Sequence, residues 1–279
     1  MLETAPISRM IGWRDWLPIS MWLFAGAAQA ALETGVITLA DGDSRVLRGA
    51  TWYKLAPGVG VEDADILTGS ARSRVQIEFA RGTIASFAGE GALLINAGKD
   101  GALALTLTAG ALKLAVKSPP ARVRIAQFEA SVADGIVVMR ADGGEIFIEA
   151  GSAKLSDASG VREARRGEYW VKTAAGFATK PLAPKPFVES LPRNFLDPLP
   201  VLAPGIKSKV VPTADRDITF AEAEPWLARD RAAFEKRFAG RLRDPAFRKA
   251  VEPVVARYPS WDRMLHPEKY QPKQPQASQ

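Results

Sequence analysis

Arg74-Val75-Gln76-Ile77-Glu78-Phe79 alternates polar and apolar side chains and runs into Ala80-Arg81-Gly82, and the same rhythm returns further on. Leu103, Leu105 and Leu107 lead to Gly110, after which Leu112, Leu114 and Val116 lead away from it. Side chains of successive strand residues point to opposite faces, so these runs predict half-buried antiparallel strands joined by short hairpins. Outward from this stretch, turn signals recur from about Gly35 to Gly176: Asp41-Gly42, Pro57-Gly58, Gly89, Asp100-Gly101, Ser118-Pro119-Pro120, Asp134-Gly135, Asp142-Gly143-Gly144, Gly151, Gly160 and Gly167. Short strands with such punctuation predict a mainly β fold, an antiparallel β-sandwich or jelly-roll-like barrel spanning residues 33–176. Gly135 to Met139 and Glu145 to Ile148 are continuous apolar runs and predict a central hairpin covered on both faces.

After Gly176 the texture changes. Eight prolines from Pro181 to Pro212 exclude helix and interior strand, because each lacks a donor and restricts the residue before it. Phe187, Leu191, Phe195, Leu196, Leu199, Val201 and Leu202 are too apolar for a free linker, so residues 177–216 are expected to form an extended arm packed across the sandwich. A helical region is expected over 217–270. Thr219 and Glu222 have capping-box spacing, Pro225 is placed to restart the helix, and Asp244-Pro245 pairs an N-cap residue with proline at the first helical position. Residues 271–279 read as a loose polar tail.

The amino terminus carries Arg9 and Arg14, an apolar stretch from Trp16 to Ala27, and then Ala28-Gln29-Ala30. The stretch is too short to cross ~30 Å of hydrocarbon, and small residues at minus three and minus one suit signal peptidase. Residues 1–30 therefore read as a cleaved export signal, which places the mature chain in the periplasm or outside the cell, with no span left in the membrane. No cysteine follows the cleavage point, which excludes a lipid-anchored lipoprotein, thiol nucleophiles and thiolate metal sites.

The formal net charge is +6, and much of the excess lies between Trp226 and Tyr270, in Arg229, Arg231, Lys236, Arg237, Arg241, Arg243, Arg248 and Lys249. With an export signal and no recognition motif, nucleic acid is not the expected partner. An anionic envelope surface is one expected counter-ion; a solvated helix face with arginines lying over apolar residues is the other reading.

Catalytic signatures are missing: there is no Gly-x-Ser-x-Gly elbow, Ser-x-x-Lys, phosphate-cradling glycine loop or His-Glu-x-x-His. His266 is the single histidine and reads as a surface residue. Glu62, Asp63 and Asp65 form the densest carboxylate cluster; a hard cation or a plain polar turn would each suit it, and the turn is preferred. No cofactor and no enzymatic activity are expected, although two carboxylates meeting across a deep cleft would reopen a hydrolase reading. Trp52-Tyr53 and Tyr169-Trp170 are the candidate ligand-binding residues. Neighbours on a strand face opposite ways, so one ring of each pair is free to stack on a sugar or anchor a protein unless the arm or the helices cover it.

Several of these elements, in order, resemble the FecR domain. They are Gly49; Gly60 to Ile66 leading into Leu67-Thr68-Gly69; Ser73 to Thr83; Leu93-Leu94-Ile95; the Leu107–Gly110–Val116 hairpin; and Gly167-Glu168. Arg81 stands where the family's turn usually has aspartate. The resemblance covers about half the chain and implies a non-enzymatic binding or sensing role, with signalling and protein contacts in the periplasm; the export signal, scaffold and charge give the expected partner as a periplasmic or outer-membrane protein, or peptidoglycan or another anionic envelope polymer. Family regulators carry an anti-sigma segment and a membrane-spanning helix ahead of this module; this chain reads as a freestanding exported version. A carbohydrate-binding module for cell-wall glycan, using an outward aromatic, is the alternative.

Overall fold

The computed structural model describes residues 33–98, 102–201 and 210–271. The proposed export signal and all but the first residue of the polar tail lie outside them. Strands come first: β1 (Glu33–Asp41), β2 (Ser44–Arg48), β3 (Thr51–Lys54), β4 (Gly60–Glu62), β5 (Ile66–Gly69), β6 (Arg74–Phe79), β7 (Ile84–Ala88) and β8 (Gly91–Ala97). They continue as β9 (Leu103–Leu107), β10 (Ala111–Val116), β11 (Ala121–Arg124), β12 (Glu129–Arg140), β13 (Glu145–Asp157), β14 (Gly160–Arg165), β15 (Tyr169–Thr173) and β16 (Gly176–Lys180). Helix α1 (Lys185–Ser190) and strand β17 (Thr213–Asp217) follow, and then α2 (Phe220–Arg229), α3 (Arg231–Phe238), α4 (Pro245–Val251) and α5 (Pro259–Leu265).

The pairings trace one sheet folded back on itself. One layer runs β4-β1-β6-β7-β10-β12-β13-β15-β16, the other β17-β3-β2-β5-β8-β9-β11-β12-β13-β14. Every pair is antiparallel except β9–β11. The long hairpin β12–β13 belongs to both layers: β12 pairs with β11 through Glu129–Val132 and with β10 through Gly135–Arg140. Between those halves Gly135 lies opposite Gly151, at a register irregularity. A Cβ on Gly151 would stand 2.0 Å from the Asp134 carbonyl oxygen, and one on Gly135 2.4 Å from that of Ala150. The expectation of separate turns at Asp134-Gly135 and Gly151 is thus corrected: opposed glycines let the hairpin bend through a corner without ending.

Inside the fold, Ile37, Val75, Ile77, Leu112, Leu114, Val137 and Met139 of the first layer meet Val46, Leu67, Leu93, Leu105, Val123 and Val132 of the second, all buried. Alternation leaves the opposite side chains on the outer faces. On the first layer that outer face carries Ala88, Ala111, Val138 and Tyr169, and the arm covers it with Phe187 and Phe195. The same face has a buried polar row, in which Gln76 lies opposite Ser86 and Ser86 opposite Lys113. Gln76 donates to the Pro200 carbonyl at 2.9 Å, and Lys113 to the carbonyls of Phe195 at 2.8 Å and Asp197 at 2.9 Å. An extended proline-rich segment has carbonyls that no sheet ladder satisfies, and side chains from the face beneath take over that role.

The arm is less irregular than its prolines predict. It begins in β16, forms α1 with Pro186 in the first turn where no donor is needed, and ends in β17 paired with the edge strand β3. The helices then cover half of the second layer's outer face, burying Leu47, Trp52 and Ile66 under Phe220, Trp226, Leu227, Phe238 and Trp261. The capping box forms as expected, with Glu222 accepting from the Thr219 amide at 3.0 Å and hydroxyl at 2.8 Å. Pro225, however, lies within α2, and the break comes at Asp230, whose carboxylate accepts from the Ala233 amide at 3.1 Å. No helix among the described residues is long and apolar enough to cross a membrane.

Candidate functional site: a cleft and shelf on the second layer

The two aromatic pairs lie on different layers and do not come together. Trp52 is 5 % exposed beneath the helices, and Tyr169 is 4 % exposed beneath the arm, its ring 5.2 Å from that of Phe187. Their neighbours Tyr53 and Trp170 turn the other way and are half-buried against the inner core. The Tyr169 hydroxyl donates to Glu145 at 2.5 Å; burial first, and that carboxylate second, push the phenol well above its usual pKa. The expected outward ring is therefore covered at both Trp52 and Tyr169, and neither offers a stacking face.

Asp65 is 1 % exposed and accepts two bonds from the Arg48 guanidinium, at 3.1 and 2.7 Å, while Glu62 reaches the same guanidinium at 2.6 Å. Asp63 turns away to accept from the Ala97 amide at 2.8 Å. The cluster is a turn organised around an internal arginine, and Arg48 occupies the place a cation would take. His266 is half-buried and sits 2.8 Å from Glu252 and 3.4 Å from Glu268. It is more enclosed than a surface residue.

Several of the helical bases hold the helices to the sheet. Arg237 donates to the carbonyls of Gly49 at 2.7 Å, Ala64 at 2.6 Å and Leu47 at 2.8 Å. Desolvation pushes its pKa down to about 10, so it stays charged at neutral pH. Arg241 pairs with Asp217 at 2.6 Å and Asp244 at 3.1 Å.

Where the helices stop short of the sheet's far half, a cleft of about 730 Å³ opens. Leu94, Asn96, Thr106 and Arg124 line its sheet side; Trp226, Arg229, Ala233, Phe234 and Lys236 line its helical side. Two carboxylates, Asp63 and Asp230, also line it, each held by the backbone amide already described. Beyond it the sheet is an open shelf. In β11, Ala121 and Val123 point inward and Arg122 and Arg124 outward; in β13, Ala153 and Leu155 point inward and Lys154 outward. Register sets Arg122 beside Ser131 and Ser131 beside Lys154, and sets Thr106 beside Arg124. Arg122 and Lys154 are exposed, as are Arg229 and Lys236 on the helical lip. Sequence reasoning found the helical cations but missed Arg122, Arg124 and Lys154. The period-two placement of these three between core residues was the signal available.

No family model matches this chain, and no curated protein matches it. Two solved structures of a candidate anti-sigma factor from Parabacteroides distasonis ATCC 8503 are similar to part of it. One is 14 % identical with a TM-score of 0.38, the other 12 % identical with a TM-score of 0.36. Each match covers 41 % of this chain and 58 % of the other, so this chain spans little more than half the length of those proteins.

Proposed function

We propose that this protein is an exported, non-enzymatic binding and sensing module of FecR type. In this reading it works in the periplasm and engages a protein partner or an anionic envelope polymer. The observation that carries the proposal is the asymmetry of covering: arm and helices cover the first layer's outer face and half of the second's, while a basic shelf beside an apolar cleft stays open. A face that needed only to be stable would be closed in the same way as the others; an open one with exposed cations suits a partner. The order of FecR-like turns and strands read from the sequence supports the family assignment.

Fractionation of cells producing the full chain, followed by capture on the purified protein from periplasmic extract, tests the proposal. The expected result is a shortened mature chain in the periplasm that retains an envelope protein or polymer in a salt-sensitive manner. Finding the full-length chain in the cytosol, or turnover of a substrate by the purified protein, contradicts it.

A further inference from the structure

We infer that the cleft and shelf take an extended acidic peptide segment of a protein partner, anchored by one large apolar side chain. The inference rests on the binding-module reading above and specifies its ligand.

Charge is the first argument. Among the described residues no carboxylate lies within ion-pair distance of Arg122, Lys154, Arg229 or Lys236. Of the nearby acids, Glu129 pairs with Arg124 at 2.8 Å and Glu163, which register sets beside Lys154, pairs with Arg165 at 3.6 Å, while Asp63 and Asp230 accept from amides and keep their charge. Arg122 and Lys154 on the shelf and Arg229, Lys236 and Arg237 on the helical side outnumber Asp63 and Asp230, so the surface keeps an excess of positive charge that an anionic ligand complements.

Spacing is the second. Arg122 and Arg124 project from the same face of one strand, about 6.8 Å apart, and Lys154 lies two strands from Arg122, about 9.6 Å away. Same-face side chains of an extended peptide recur at about 6.8 Å, so a segment lying along β11 with acids at alternate positions meets Arg122 and competes with Glu129 for Arg124.

Apolar surface is the third argument, and it separates a peptide from other polyanions. The buried rings of Trp226 and Phe234, with half-buried Leu94, wall a space of about 730 Å³, well within the range of ligand pockets. A phosphate polymer gains nothing from such walls. A bilayer cannot enter a concave step. The shelf itself offers Thr106, Ser131 and Asn96 and no aromatic platform for a sugar. A leucine or phenylalanine within an acidic segment uses both features.

The test is fluorescence anisotropy on the mature protein with a labelled synthetic peptide alternating glutamate with leucine and phenylalanine. Controls are the same peptide with alanine at the apolar positions, its lysine counterpart, and labelled polyphosphate. Expected results are saturable binding weakened by salt, about tenfold loss with the alanine peptide, and about tenfold loss for Lys236→Glu, Arg122→Glu and Ala233→Glu with thermal midpoints unchanged. All three positions are exposed, so the variants leave the core intact. Equal binding of the alanine peptide or of polyphosphate overturns the peptide assignment and leaves the binding module standing. Failure of every probe to bind overturns the peptide assignment too, and capture from periplasmic extract then decides the broader reading separately.

Discussion

Lys113 on β10 donates from its buried Nζ to the carbonyl oxygen of Phe195, at 2.8 Å across 82 residues of chain. The same nitrogen reaches the Asp197 carbonyl at 2.9 Å and Glu149 at 2.8 Å. A lysine in the middle of an otherwise apolar alternation thus fixes where the arm crosses the sandwich.

Replacing it by an apolar residue of similar length leaves two carbonyls and a carboxylate without a donor. Lys113→Met is expected to cost about 2–3 kcal/mol, because the buried Phe195 carbonyl loses a charged donor while the Glu149 carboxylate, 27 % exposed, is taken up by solvent. Urea unfolding gives the magnitude, and limited proteolysis should show cleavage within 193–201 before the sandwich opens. A cost below about 1 kcal/mol would mean that the arm is held by Phe187 and Phe195 alone.

The corner of β12–β13 depends on opposed glycines. Gly151→Ala forces a Cβ against the Asp134 carbonyl at a backbone φ of +69°, and a loss of about 3 kcal/mol or more is expected. Gly240→Ala, with nothing within 4 Å, is the control and should change stability by less than about 0.5 kcal/mol. Thermal unfolding of the two variants separates them directly.

Acid should loosen the start of the helical region. The Arg216 guanidinium, together with the Thr219 amide and hydroxyl, holds the Glu222 carboxyl at about 2, below its ordinary 4.5. Because the folded value is the lower one, the carboxylate's contribution is complete above pH 4.5 and fades as the pH falls toward 2. With solvent screening it amounts to about 1 kcal/mol. Unfolding monitored by tryptophan fluorescence at pH 7 and pH 3 should show Glu222→Gln losing that amount at pH 7 and less at pH 3. An equal loss at both would remove the carboxylate's charge from the explanation.

Arg237 joins helix to sheet through three carbonyls. Arg237→Ala is expected to lower stability by about 2–4 kcal/mol. Arg237→Lys should recover only part of that, since an ammonium lacks the planar fork that reaches all three. Full recovery by lysine in equilibrium unfolding would show that charge alone suffices.

The fold was largely legible in the sequence because period-two alternation survives in β6, β9 and β10, where one face meets the core and the other does not. Thr219 with Glu222 and Asp244 with Pro245 also marked helix starts that form. What stayed hidden depends on distant pairing. Gly135 and Gly151 look like two turns until register sets them opposite one another, and Lys113 looks like an outward residue until the arm arrives over it. Alternation shows that one ring of Trp52-Tyr53 and one of Tyr169-Trp170 must face outward, but which ring, and that helices and arm cover it, only the tertiary structure decides. The cleft arises where the covering stops, which local sequence does not mark.

The proposed meeting of this protein with its partner is on the open half of the second layer. Its most direct measurement is photo-crosslinking in intact cells from a probe at position 154 on the shelf, compared with one at position 179 on the edge strand β16. The expected result is a discrete adduct with an envelope component from 154 that Lys236→Glu diminishes, and none from 179. Equal labelling from both positions, or adducts from 179 alone, would contradict it.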